Sequence, residues 1–191
     1  MTGRIVFLIV LLGLLVGCGG GSDNGGGSDI VGTWKQDCLY IVEDETYDDV
    51  TLTFSGNSFT LTGSFSEDAN CSVPVFSASQ KGTFQIGAEK ILTSGETVNE
   101  IDVTSTEAYV TLHDETYVTF FNMSSTCNKA DWQKDVVVDV LGCDDFGPDK
   151  IYDIYKVDGN KLYLGDSSED GEGESPDTRP TELDSDFYTK S

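Results

Sequence analysis

Five cysteines carry the most versatile chemistry in this 191-residue chain, because a thiolate can form a disulfide, bind a metal or be alkylated. They are Cys18, Cys38, Cys71, Cys127 and Cys143. Cys18 stands apart, since it directly follows an apolar run and precedes a glycine-rich tract. An odd number of cysteines in an exported protein needs an explanation. If Cys18 has another role, the other four form an even set, which suits disulfides in an oxidising compartment.

The alternative for the four domain cysteines is a zinc site. Structural zinc sites need closely paired ligands such as C-x-x-C, whereas the spacings here are wide. The only histidine, His113, also lies apart from the cysteines. We therefore predict two disulfides. Four cysteines allow three pairings, and the spacing does not choose among them.

The segment 166–177, DSSEDGEGESPD, places oxygen-bearing side chains at alternating positions. Such a pattern can wrap a calcium ion, and Gly171 would permit the sharp turn. In an EF-hand type of loop the ligand positions one, three, five, nine and twelve would be Asp166, Ser168, Asp170, Glu174 and Asp177. Position twelve is Asp rather than a bidentate Glu, Pro176 precedes it, and strands flank the loop. A solvated acidic loop is the preferred interpretation, with calcium as the alternative.

The sequence predicts no catalytic residues. His113 lies in a predicted turn, and no serine lies in a nucleophile-elbow setting. Carboxylate pairs for glycoside hydrolysis carry little information in a chain with 34 acidic residues. We therefore expect a protein that is not an enzyme and needs no cofactor, with His113 exposed in its turn.

The N-terminus has the pattern of an export signal. Arg4 precedes an apolar run over residues 5–16, which is shorter than the roughly 20 residues of a spanning helix. The motif Leu15-Val16-Gly17-Cys18 resembles the lipobox of bacterial lipoproteins at all four positions. The resemblance implies cleavage before Cys18, a diacylglyceryl thioether on its sulfur, and a further acyl chain such as palmitate on the new amine. The alternative is an ordinary signal peptide with an incidental cysteine.

The same resemblance implies where the anchor is held. Two or more acyl chains bind a membrane stably, whereas one binds only marginally. Position 19 is Gly rather than Asp, which in Gram-negative lipoproteins favours the outer membrane over retention at the inner one. We therefore expect a lipid-anchored protein of the bacterial cell envelope.

Composition divides the chain into three parts. Residues 1–17 form the signal, and residues 18–29 form the lipidated cysteine with a flexible Gly/Ser/Asp linker, which cannot bury enough apolar surface to fold. Residues 30–191 suit one domain. Removal of the signal takes Arg4 from the 11 basic residues and none of the 34 acidic ones, for a net charge of −24. A surface this negative repels nucleic acid and anionic headgroups.

Alternation of apolar and polar residues recurs throughout the domain and predicts an all-β fold. We expect three hairpins, namely 50–55 with 59–65, 108–112 with 116–121, and 151–157 with 161–164. Further strands are expected at 32–41, 81–86, 90–93, 98–103 and 187–190, with a short turn or helix within 128–134. A meander of eight to ten such strands favours a closed up-and-down barrel, because closure removes exposed edges. A two-sheet sandwich is the alternative.

The motif Gly32-Thr33-Trp34 at the start of the first strand resembles the G-x-W of lipocalin-type barrels. That family closes the barrel bottom with the indole against a late Arg or Lys, which here is Lys190 or Arg179. The spacing of Trp34 and Cys38, together with Cys71, and the segments 162–166 and 179–184 extend the resemblance to lipocalin-like bacterial lipoproteins. It favours the pairings Cys38–Cys71 and Cys127–Cys143 and implies no activity.

These expectations lead to two functions. The first is a non-catalytic surface interaction or structural module, held at the membrane by lipid on Cys18 and acting on a partner protein. The alternative is a carrier that binds a small apolar or amphipathic ligand inside the barrel, which is supplied with aromatic residues. These are Phe54, Phe59, Phe84, Phe120, Tyr109 and Tyr117.

Overall fold

The computed structural model describes residues 29–41, 46–166 and 172–191. The predicted signal, Cys18 and most of the predicted linker therefore lie outside the described residues. Within them are nine strands: β1 (Gly32–Ile41), β2 (Thr46–Ser55), β3 (Ser58–Ser66), β4 (Pro74–Ile91), β5 (Thr97–Leu112), β6 (Val137–Asp139), β7 (Lys150–Asp158), β8 (Lys161–Leu164) and β9 (Tyr188–Lys190). One α-helix, α1 (Glu115–Ser124), follows β5. Three short 3₁₀ turns lie at Thr126–Asn128, Asp144–Phe146 and Pro176–Thr178.

The strands form a closed antiparallel barrel. Their order around the wall is β4-β3-β2-β1-β9-β8-β7-β5, and the pairing of β4 with β5 completes the circle. The short β6 is an extra strand on β5, beyond β7. The predicted barrel is confirmed and the sandwich alternative is wrong. None of the described helices is both long and apolar enough to cross a bilayer.

Paired residues on adjacent strands place the alternating apolar positions on one inner face. Leu52 of β2 lies opposite Trp34 of β1 and Leu61 of β3, and Phe54 lies opposite Phe59. The predicted turn at Gly56-Asn57 joins Ser55 and Ser58, and Gly56 has a φ of +60°. Such a φ suits glycine, because other side chains are strained there.

The longest strands, β4 and β5, each unite two predicted segments and bend at irregularities. Their register shifts between Lys81 and Gly82 and again between Ile86 and Glu89. A Cβ atom at Gly82 would overlap the Thr104 carbonyl oxygen and lie 2.7 Å from the Phe59 ring. Glycine thus allows the backbones to approach where the bulge curves the wall.

The second predicted hairpin is wrong, because residues 116–121 lie in helix α1 rather than a strand. The side chain of Asp114 caps this helix by accepting the Thr116 N–H at 2.7 Å. Val118 and Phe121, three residues apart, are both buried on the face toward the core. The β-branched and aromatic composition favours a strand locally, but the cap and the packing determine a helix. The turn predicted within 128–134 reduces to the 3₁₀ turn at Thr126–Asn128.

The core consists of two main clusters. The Trp34 cluster fills the closed end of the barrel with Ile30, Trp34, Leu52, Phe54, Phe59, Phe84, Ile101, Tyr155 and Leu162. The Trp132 cluster lies beneath α1 and comprises Val75, Phe76, Ala78, Val110, Leu112, Val118, Phe121, Trp132, Val140 and Phe146. Side chains of the protein itself therefore occupy both ends.

Both disulfides favoured by the resemblance are formed, as Cys38–Cys71 and Cys127–Cys143. The first joins a bulge in β1 to the connection between β3 and β4. Cys38 has a φ of 41°, which follows from the register shift between Gln36 and Leu39. The second closes the irregular segment that contains Trp132.

We predict that each disulfide stabilises the barrel separately. The bridged residues are 33 and 16 apart, so loop-closure entropy gives losses of about 4 and about 3 kcal/mol for the double variants Cys38→Ser/Cys71→Ser and Cys127→Ser/Cys143→Ser. Equilibrium urea unfolding measures both losses. Cys18→Ser is the matched control and should leave the unfolding free energy unchanged. Equal stability of a double variant and the parent would contradict the prediction.

Candidate functional site

The closed end of the barrel is built around Trp34, which is fully buried. Its Nε1–H donates to the Ile30 carbonyl oxygen at 2.6 Å, and Lys190 Nζ lies 4.8 Å from the ring centroid. A Cβ atom at Gly32, where φ is +138°, would lie 2.9 Å from the Lys190 side chain. Gly32 therefore leaves room for the lysine, and Lys190 is the basic partner expected from the lipocalin resemblance.

Arg179, the other candidate partner of Trp34, lies elsewhere, so that alternative is wrong. It is only 8% exposed and packs over Tyr152 with its guanidinium carbon 5.5 Å from the ring centroid. Its Nη1 donates to the carbonyl oxygens of Ile101 and Asp153, and its Nη2 donates to Asp102 Oδ1 at 2.7 Å. Asp102 and Tyr152 are paired on the face opposite the core residue Ile101. Arg179 thus holds the C-terminal segment on the outer wall.

The barrel interior was the expected ligand site. Phe54, Phe59 and Phe84 pack within the Trp34 cluster, whereas Phe120 of α1 is 44% exposed. Farther along the interior, Gln80 is buried and its Nε2 has no hydrogen-bond partner. The crevice that reaches Gln80 has a volume of about 10 Å³. This volume suits about one water molecule. It is far smaller than a ligand pocket, which spans roughly 300–1,000 Å³.

A second crevice opens where β1 and β9 separate. Only Trp34 and Lys35 of β1 pair with β9, and the wall parts beyond them. The crevice has a volume of about 250 Å³. Its lining mixes charged and apolar side chains: Lys35, Gln36, Asp37, Leu39, Asp186, Phe187 and Thr189. Phe187 is braced by Tyr163 and by Lys161, whose Nζ lies 3.7 Å from the ring centroid.

The predicted calcium loop is described only in part, because Ser168, Asp170 and Gly171 lie outside the described residues. Asp166 donates its N–H to the Glu182 carbonyl oxygen at 3.0 Å. Glu174 and Asp177 are exposed, and Asp177 belongs to the 3₁₀ turn at Pro176–Thr178. Calcium binding by this loop stays a prediction.

Among the described residues, one group of three potential metal ligands lies close together, formed by Cys127, Cys143 and Asp145. The two sulfur atoms are bonded to each other, which removes the thiolates a metal would need. The Asp145 carboxylate instead accepts the Cys127 N–H at 2.5 Å. This group is a structural feature of the disulfide.

His113 is not the exposed turn residue that we expected, because its side chain is only 28% exposed and has two partners. Its Nδ1 lies 2.8 Å from Asp135 Oδ1, and its Nε2 lies 3.0 Å from Ser77 Oγ. Sequence reasoning missed this contact because Ser77 precedes His113 by 36 residues. Only the register of β4 against β5 brings them together.

Asp153 is a carboxyl group whose pKa the fold raises. It lies opposite Ile101, at the point where β8 leaves β7. Burial raises the pKa of its carboxyl to about 7, against the opposing effect of the Ile154 and Gly165 N–H groups that donate to Oδ1. Burial and the nearby carboxylates also raise the pKa of Tyr188. A partly buried acid and a partly buried phenol therefore lie in the β7–β9 wall.

The barrel is of the lipocalin-like form. No protein-family model matches this chain, and no curated protein is significantly similar to it in sequence. Lipocalin-like form does not by itself transfer a function, so the argument for one depends on particular residues.

Asp153 predicts a pH dependence of stability. Between about pH 4 and pH 7 the folded carboxyl keeps a proton that the unfolded one has lost, so this group makes stability fall as pH rises through that range. Asp153→Asn keeps the acceptor oxygen and should remove about 3 kcal/mol of the difference in unfolding free energy between pH 5 and pH 8. Urea unfolding at both pH values measures it.

Asp158→Asn, at the exposed end of β7, is the matched control. It changes the net charge equally without touching the buried group. If Asp153→Asn and Asp158→Asn keep the same pH dependence as the parent, the assignment to Asp153 is wrong.

Proposed function

We propose that this chain is an exported bacterial lipoprotein, anchored in the cell envelope by lipid on Cys18, whose barrel is a non-catalytic interaction or structural module. The observation that carries the proposal is the lipobox-like motif at residues 15–18. The pairing of the other four cysteines supports it, because that pairing accounts for every cysteine except Cys18. An unpaired cysteine in an oxidising compartment requires a separate role.

The closed end of the barrel suits attachment through the N-terminus. Ile30 is buried beneath Trp34, and Asp29 Oδ1 accepts hydrogen bonds from the Ile30 N–H and the Tyr155 hydroxyl. The first described residues are therefore fastened to the barrel wall. The proposed linker over residues 18–29 would give this end a root-mean-square distance of roughly 18 Å from the anchor.

The charge of the domain supports a role away from the lipid surface. The proposed mature chain carries a net charge of −24, which anionic headgroups repel. Lipid on Cys18 would then supply the attachment, while the charged domain stands off the membrane. A module of this kind acts through its outer face, which a filled barrel leaves as its main binding surface.

The edge at β6 is the part of the outer face best suited to a protein partner. β6 ends the order of described strands. Val137 of β6 is 65% exposed, and Val136 and Leu141 on either side of the strand are 45% and 39% exposed. Edge strands with exposed apolar side chains can accept another strand or an apolar surface.

We predict that Cys18→Ser abolishes metabolic labelling with palmitate and releases the protein from the membrane fraction, because the acylated sulfur is lost. Cys38→Ser is the matched control and should keep both the label and the membrane fraction. A parent protein without label, or a mature N-terminus beyond position 18, would overturn the proposed anchor.

Cross-linking of intact cells with the parent and Val137→Lys then tests the interaction role, and identical cross-linked partners would argue against the β6 edge.

The carrier function remains the alternative, and the crevice between β1 and β9 favours it. With Leu39 and Phe187 among polar groups, its volume of about 250 Å³ lies just below the range of ordinary ligand pockets. This would place an amphipathic ligand at the seam of the barrel wall rather than in its centre.

For the carrier, native mass spectrometry of the protein from its own host should show a bound small molecule. Thr189→Trp, which fills the crevice, should remove that mass, and Ser94→Trp in an exposed turn should not. A consistently empty parent protein would eliminate the carrier function.

A further inference from the structure

We propose that Ser77, His113 and Asp135 form a nucleophilic site on the outer wall of the barrel, with small activated carboxylic esters as its substrates. The inference goes beyond the anchored module proposed above and would replace the non-catalytic part of that description. It leaves the anchor and the barrel as they are.

The hydrogen bonds of His113 determine the direction of proton transfer. Asp135 Oδ1 lies 2.8 Å from His113 Nδ1. An ionised carboxylate only accepts, so Nδ1 carries the ring proton of the neutral imidazole. Nε2 then presents its lone pair to Ser77 Oγ at 3.0 Å, and the serine hydroxyl donates to it. This is the arrangement in which a histidine acts as the general base for a serine nucleophile.

The backbone holds the three residues in place from three separate segments. The His113 N–H donates to the Val75 carbonyl oxygen at 2.7 Å, which fastens the end of β5 two residues from Ser77. The Asp135 N–H donates to the Leu112 carbonyl oxygen at 2.8 Å, directly before His113. Asp135 has a φ of 58°, in the left-handed region that aspartate adopts more readily than most residues.

The site is open to solvent. Ser77 is half-buried on the face of β4 opposite the core residues Phe76 and Ala78. The side chains of His113 and Asp135 are 28% and 64% exposed. A substrate can therefore approach from the medium, but water screens the Asp135 charge more than in an enclosed triad. The screening favours activated esters over peptide bonds as substrates, because the leaving group of an activated ester departs with less catalytic assistance.

The reaction balances with water as its only co-reactant. Ser77 Oγ bonds to the ester carbonyl carbon while its proton passes to His113 Nε2. The bond to the leaving alcohol breaks, and Nε2 returns the proton to that oxygen. Water then attacks the acyl group, giving a proton to Nε2, and the free acid leaves as the proton returns to Ser77 Oγ.

A fluorophosphonate probe tests the nucleophile directly, because Ser77 Oγ would bond to phosphorus, fluoride would leave, and the proton would pass to His113. Full-length protein with intact disulfides is labelled, and peptide mass spectrometry locates the label. We expect Ser77 of the parent to be labelled at least about tenfold faster than Ser77 of the His113→Gln variant. Ser79→Ala is the matched control, since Ser79 lies two residues along on the same face of β4.

The pH profile separates a general base from a merely structural histidine. The labelling rate of the parent should rise with pH and then level off, and Asp135→Asn should lower the plateau. His113→Gln should remove the rise. Thermal unfolding of each variant shows that the barrel is intact, and Ser77→Ala removes only one half-buried hydroxyl.

Three outcomes would overturn the proposal: no label on the parent, a label on another serine, or equal rates for the parent and His113→Gln. Hydrolysis of p-nitrophenyl acetate gives a second readout, in which Ser77→Ala must lose the turnover that Ser79→Ala keeps. Cys18→Ser should leave labelling of Ser77 unchanged, so failure of the anchor and failure of this site are distinguishable.

Discussion

The first and last strands of the domain are joined by a narrow seam. β9 pairs with β1 only at Lys190 opposite Trp34 and Thr189 opposite Lys35, yet this contact completes an eight-stranded circle. The buried indole and the lysine above it lie at the same place. Because this contact closes the circle, the apolar inner residues of the strands face one shared interior. The two core clusters and the outer wall both depend on that closure.

Closure also decides where the protein can act. The two ends of the interior are packed with its own side chains, and the crevice at Gln80 has a volume of only about 10 Å³. The chemistry-bearing groups face outward instead: the β6 edge, the crevice between β1 and β9, and the Ser77–His113–Asp135 site. The proposed anchored module and the proposed surface nucleophile are compatible in one chain, since both would use the wall rather than the interior.

Charged groups on the outer surface of the barrel and those buried in its wall have different surroundings. The outer surface is strongly acidic, which supports solubility and separation from anionic lipid. The buried Arg179 is compensated by Asp102 and by two backbone carbonyl oxygens. Asp153 receives two backbone N–H groups, yet burial still raises its pKa to about 7. The Asp153 carboxyl therefore keeps its proton up to about pH 7, because it lies in the wall where β8 separates from β7.

Local patterns determined much of this protein. Alternation predicted β1, the β2–β3 and β7–β8 hairpins and β9, because side chains alternate between the faces of any strand. Composition likewise predicted a signal and a linker before a domain with an even number of cysteines. The tertiary structure alone decided that residues 115–124 form a helix, that Lys190 rather than Arg179 covers Trp34, and that His113 meets Ser77 and Asp135. Those outcomes depend on strand register and burial between segments distant in sequence, which no local pattern encodes.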